Sequence, residues 1–365
     1  MKKYFTLLKK LTTFFNLLII LLLTSNFCYS QNLVAHSWGY NDYGQLGIGE
    51  DTWSPEQIGT STNWAVVASG GSHTHAIKTD GTLWAWGMNH VGQFGDGTEQ
   101  SKVTPTQIGS SSNWVTVSCN YLHTMAIKND GTLWGWGLND YGQLGDGTNT
   151  NSSSPIQIGT ETNWAKVSCG RYYTLAIKSD GTLWAWGIND VGQLGDGTNT
   201  NSSSPIQIGT ETNWAKVSCG DYHTIAIKNN GTLWAWGFNN SGQLGDGTYT
   251  NSSSPIQVGN ATDWILISCG SHHNLAIKSN GTLWSWGWNT GGGLGDGTNT
   301  NKNNPIQVGT NTDWGKVSCG YCNTSAIKNN GSLWSWGYNS WGRVGDGSTV
   351  DRYLPTRIGD RKSVV

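Results

Sequence analysis

Short apolar runs with a two-residue period recur along this chain, each cut off by glycine, asparagine or aspartate. In the stretch 164–208, Ala165-Lys166-Val167-Ser168-Cys169 predicts a first strand. Thr174-Leu175-Ala176-Ile177-Lys178 predicts a second, and Asp180-Gly181 is a tight hairpin signal. Thr182-Leu183-Trp184-Ala185-Trp186 predicts a third. After a polar loop from Asn189 to Ser204, Pro205-Ile206-Gln207-Ile208 predicts a fourth, placed at a sheet edge because proline cannot donate to a ladder on both sides.

That unit repeats. Trp-Gly-x-Asn recurs at Trp38, Trp86, Trp136, Trp186, Trp236, Trp286 and Trp336, at a first spacing of 48 residues and then five of 50. Residues 144–170 and 194–220 are identical, the mark of an internal duplication. Four short antiparallel strands per 40–50 residues describe one blade of a β-propeller. The third strand carries a tryptophan pair two residues apart (Trp84/Trp86 through Trp334/Trp336), on one face of the strand. Stacked pairs of this kind between blades would supply packing that one four-stranded sheet lacks. The fold class is therefore all-β, a seven-bladed propeller of four-stranded antiparallel blades. Six units are complete, from Trp64, Trp114, Trp164, Trp214, Trp264 and Trp314. Leu33–Trp38 and Pro55–Ile58 supply only the outer half of a seventh blade, and its inner strands are expected from the C-terminus. After Gly359 just six residues follow, so that blade is expected to be incomplete.

The first residues change the picture of where the propeller works. Lys2, Lys3, Lys9 and Lys10 precede an apolar run from Leu11 to Leu23, and a polar stretch follows. That order predicts a signal peptide over 1–30, cut after Ser30, with the propeller spanning 31–365. The run is short of the roughly 20 residues a membrane span needs. Removing 1–30 leaves 17 basic against 23 acidic side chains, a net charge of −6. Such a surface has no basic patch for a phosphate backbone, so nucleic acid is not expected as a partner.

Val-Ser-Cys-Gly-x-x-His-Thr-x-Ala-Ile-Lys, followed by Gly-x-Leu-Trp-x-Trp-Gly-x-Asn and Gly-Gln-Leu-Gly-Asp-Gly, is seen almost whole at 216–246. This unit resembles the repeat of the regulator of chromosome condensation family. The resemblance covers residues 33 to about 360 and implies a seven-bladed propeller closed by pairing strands from both termini. With the leader, it implies a secreted bacterial member. The founding member's nucleotide exchange on a small GTPase is not expected here, because no unit carries an insertion and Gln31-Asn32 is not basic.

The candidate chemistry thins out once the repeat is recognised. Cys119, Cys169, Cys219, Cys269 and Cys319 share one position, with Ser69 in the sixth unit. They are expected to be buried thiols, because equivalent residues on separate blades lie beyond the ~7 Å that a disulfide allows. Cys319 and Cys322 have a redox-like spacing but fall on a strand and a turn. His73, His123, His223 and His273 share a position with Tyr173 and Asn323. They are expected to hydrogen-bond turn backbone rather than converge on a metal. The Asp-Gly-Thr-Asn-Thr-Asn loops offer calcium-type oxygens, but Asx turns explain the same composition. No nucleophile–base pair or carboxylate dyad is evident. The expectation is of no enzyme, no cofactor and no metal.

What remains is one variable end. The first-to-second and third-to-fourth loops of a blade share an end, and there the copies differ most. Candidate partner-binding residues on them are Tyr43, His90, Tyr141, Arg171, Tyr172, Asp221, Tyr222, His272, Tyr321 and Trp341. Tyrosine, tryptophan and arginine are the side chains that interface hot spots favour. The function expected is a secreted or cell-surface binding module, a monomer docking a protein or glycan. An inhibitor of a secreted enzyme, or a polysaccharide-acting enzyme, is the alternative.

Overall fold

A computed structural model of the chain describes residues 11–15 and 33–359. Most of the expected leader, its cleavage point and residues 360–365 lie outside the described residues.

Six four-stranded antiparallel sheets follow one another along the chain, each in simple sequence order. In the third, Trp164–Cys169, Tyr173–Lys178, Leu183–Gly187 and Ser202–Gln207 are the successive strands, from innermost to outermost. The fourth strand begins three residues earlier than the sequence pattern suggests, and Pro205 is inside it. The ladder tolerates this because pairing skips from Ala185↔Ile206 to Gly187↔Ser202. The proline falls in that bulge on an edge strand, where no donor is needed.

The tryptophans do not stack pair on pair between blades. Trp164 of the first strand meets Trp184 and Trp186 edge-on, at 6.1 and 6.0 Å between ring centroids, within one blade. This three-ring face packs on aliphatic side chains of the preceding blade: Met125, Ile127, Leu133, Leu144 and Ile158. An edge-to-face arrangement suits the ring quadrupoles better than the face-to-face stack the pattern suggested. Lys178 covers the outer side, its Nζ 3.7 Å from the Trp184 ring and 2.7 Å from Glu161 Oε1. Equivalent lysines cap the pair in all six full blades.

One indole hydrogen bond ties each blade to its predecessor. Trp186 Nε1 donates to the Gln143 carbonyl at 2.9 Å. The same bond joins Trp86 to Gln45, Trp136 to Gln93, Trp236 to Gln193, Trp286 to Gln243 and Trp336 to Gly293. Trp38, on the partial blade, donates to the Arg343 carbonyl of the sixth at 2.9 Å. Seven such bonds run round the molecule, so the ring is continuous at the level of the third strands.

The inner half of the seventh blade differs from expectation. Leu33–Gly39 pairs with Thr52–Gln57, as the pattern requires. Its other edge pairs with Leu11–Phe15, running parallel to it, while residues 360–365, expected to begin an inner strand there, lie outside the described residues. An unpaired strand edge recruits whatever extended apolar segment is within reach, and Leu11–Phe15 comes from the run read as a leader. Among the described residues the architecture is thus six complete blades and a seventh represented by its outer strands.

Candidate functional site

The loop end is built by backbone before any side chain is considered. First-to-second loops of neighbouring blades bond to one another: Arg171 N–H to the Asp221 carbonyl, Asp221 N–H to Ser271 and Ser271 N–H to Gly320. That chain of bonds sets Arg171, Asp221 and Ser271 side by side on successive blades. The third-to-fourth loops are held by an asparagine. Asn139 Nδ2 donates to Asp146 Oδ1 and to the Thr148 and Thr150 carbonyls, while its Oδ1 accepts from Leu144 N–H. Asp146 also accepts from the Thr148 amide and hydroxyl. These bonds account for the Asp-Gly-Thr-Asn composition of the loop.

Arg171 is the centre of the face. Its guanidinium carbon lies 4.7 Å from the Tyr121 ring, 5.5 Å from Tyr172 and 5.8 Å from Tyr222. Asp221 Oδ2 is 3.6 Å from its Nη1. Burial pushes the Asp221 carboxyl above its ordinary range, against the opposing pull of His272 and Arg171. Burial likewise holds the His272 imidazole below its usual value, against the pull of Asp221. Tyr172 links outward to Tyr121 at 5.3 Å and Tyr141 at 5.1 Å. The result is one aromatic and charged band across four blades, whose planar, stiff side chains cost little entropy to immobilise.

The remaining predicted residues distribute around it. Tyr43 and His90 meet edge-on at 6.1 Å, a second small cluster. Trp341 is half-exposed at φ 71°, with its ring 5.3 Å from Tyr40. Tyr321 is the most exposed aromatic of the set, at 60%. Sequence comparison missed Tyr121, although it shares the loop position of Arg171 and Asp221. It also missed Trp288, which sits against His272 at 6.2 Å.

The histidine position behaves differently from its expected role. His123 Nε2 meets Thr174 Oγ1 of the next blade at 3.1 Å, and His273 meets Thr324 at 3.0 Å. These bonds cross the blade seam instead of serving the turn, because the ring lies over the second strand of its neighbour. Tyr173 fills the same slot by donating to the His223 carbonyl at 2.5 Å. The six described cysteines are free thiols.

A family model, the RCC1-like domain, matches residues 34–365. The chain belongs to the RCC1-like domain family. Among solved structures it is similar to Prp20p from Saccharomyces cerevisiae, with a TM-score of 0.80 at 22% identity, over 89% of this chain and 86% of that one. It is 38% identical to the regulator of chromosome condensation of Xenopus laevis over 76 residues, 20% of this chain and 18% of the relative. It is 37% identical to the human probable E3 ubiquitin-protein ligase HERC3 over 71 residues, 18% of this chain. That match spans 7% of the ligase's length.

RCC1-like propellers are a protein-interaction module type, and this chain is one. The expectation of no enzyme is withdrawn, because the relatives include a probable ubiquitin ligase. The expectation that excluded nucleic acid and small-GTPase exchange is withdrawn as well. The Prp20p structure is described by its binding to Gsp1p and histones, and the Xenopus relative is named for chromosome condensation. Net acidity and the missing insertion describe this chain's surface, while the propeller itself is what these relatives share.

Proposed function

We propose that this RCC1-like propeller is an exported docking module that holds a protein partner on its loop end, around Arg171. The observation that carries the reading is the packing of Arg171 among Tyr121, Tyr172 and Tyr222 beside the buried Asp221. A preformed arginine–tyrosine cluster is what a binding hot spot requires, and the sister blades do not repeat it. The basic start and the Leu11–Leu23 run support export.

The test compares the wild-type chain with Tyr172→Ala/Tyr222→Ala in capture from culture medium and cell-surface extract. The reading expects a partner retained by the wild type and lost, at least tenfold, by the double variant. Equal capture by both would overturn the face assignment. Fractionation after replacing Leu11–Leu23 with polar residues tests export separately: the altered chain should stay inside the cell.

A further inference from the structure

The first blade breaks the repeat at one buried place. The position held by Met125, Leu175, Ile225, Leu275 and Ser325 in later blades is His75 here, and it is fully buried. His73, two residues earlier on the same strand face, is buried too. Across the seam lies Cys119 of the second blade.

That cysteine also departs from its sisters. Cys169, Cys219, Cys269 and Cys319 each donate a thiol hydrogen to the carbonyl of a serine one blade back, at 3.2, 3.4, 3.2 and 3.3 Å. The hydroxyl of that serine takes the cysteine's own amide. In the first blade the serine is replaced by Ala68. Cys119 Sγ lies instead 3.4 Å from His75 Nδ1. Two departures from the repeat, Ala68 and His75, are cross-strand neighbours on the first blade, and they leave Cys119 beside an imidazole.

We propose that His73, His75 and Cys119 bind one thiophilic transition-metal ion, zinc or copper(I), between the first and second blades. One donor atom from each residue lies within 4.8 Å of the other two. A tetrahedral site with bonds of about 2.3 Å to sulfur and about 2.05 Å to nitrogen sets donors about 3.5 Å apart. The Cys119–His75 pair already stands at that separation, and side-chain rotation closes the rest. Thiolate with imidazole is the donor set these ions select.

The surroundings prepare both rings as ligands. His75 Nε2 faces the Phe94 carbonyl at 3.3 Å; an N–H donated there leaves the Nδ1 lone pair aimed at Cys119. Thr124 donates its hydroxyl to the Gln93 carbonyl, so it accepts from His73 Nε2–H at 3.3 Å. His73 Nδ1, the other ring nitrogen, is buried and without a hydrogen-bond partner. Cys119 is a free thiol in this structure. Loading the ion therefore breaks an S–H bond, forms a metal–sulfur bond and releases one proton to solvent.

The full chain, reduced and stripped of metal, is titrated with zinc and, without oxygen, with copper(I), each against a coloured competing chelator. Cobalt(II) reports thiolate ligation by its near-ultraviolet charge-transfer band. The wild type should take up one equivalent of zinc or copper(I) and show that band. His75→Leu installs the residue of the third blade, so it should fold with an unchanged circular dichroism spectrum and bind at least 100-fold more weakly. Cys119→Ser should lose the band, and Cys322→Ser should keep it. Binding by His75→Leu equal to the wild type would overturn the site. So would a folded wild type that leaves all metal with the chelator.

Discussion

Single residues in this chain are specified by what they touch across a seam. Gly145, at φ 83°, is one case: a Cβ there would come within 2.7 Å of Trp186 Nε1 on the next blade. Gly145→Ala therefore both strains the backbone and displaces an indole that is wholly buried. A loss of about 3 kcal/mol or more in urea-unfolding stability is expected. The buried histidines give a second residue-scale expectation. His75 and His223 have pKa values lowered to about 4, and His123 and His273 to about 3, all by burial. An unfolded histidine takes its proton near pH 6.5, so the unfolded chain binds more protons on acidification. Stability is full above about pH 6.5 and falls as pH drops toward 4, by on the order of 3 kcal/mol per such histidine. The melting temperature should follow that course, and His75→Leu should flatten it. A melting temperature constant from pH 7 to 4 would contradict the assignment of neutral buried rings.

Strands and seams are where sequence reading succeeds and where it stops. The two-residue alternation places every strand of the six full blades within a few residues, because each strand is short and ended by its own glycine or asparagine. The fourth strand is harder: Ser202, Ser203 and Ser204 have no apolar signature, and their pairing depends on the bulge beside Gly187. Within the candidate site, Arg171, Tyr172 and Tyr222 are legible as variable loop positions. The clustering around Arg171 is not legible, since it arises from backbone bonds between different blades. His75 escaped notice for a related reason: a lone departure from the repeat means nothing until Cys119 is seen opposite it. The serine–cysteine seam itself is testable. Ser168→Ala removes the hydroxyl that accepts the Cys219 amide at 3.0 Å. A cost of about 1 kcal/mol is expected, measured by urea unfolding. Combining it with Ser218→Ala should cost close to the sum, because the two seams flank opposite faces of one blade.

At the scale of the molecule, seven indole bonds close a ring whose inner wall, among the described residues, is complete in six sectors. In repeat folds stability is a sum over units and their neighbour contacts. The units from Trp164 to Gln257 have full neighbours on both sides. The sheets Trp64–Gln107 and Trp314–Arg357 each border the partial blade. Amide hydrogen exchange should therefore be slowest in the second strands Tyr173–Lys178 and His223–Lys228, and at least tenfold faster in His73–Lys78 and Asn323–Lys328. Uniform protection across all six second strands would show that the seventh sector is as tightly filled as the others.

The seam joining Ser118 to Cys169, repeated from Ser168 to Cys219 and onward, has a front and a back that match each other but not themselves. Contacts of that kind either close on themselves or go on adding units. Here the two identical stretches, 144–170 and 194–220, make the fronts of those neighbouring blades interchangeable, so nothing chemical at their seams records which blade belongs there. The count of blades must come instead from the small rotation each seam imposes. A gene that gained or lost one 50-residue unit would still encode good seams throughout, and the misfit would be concentrated at the one place where the circle has to meet.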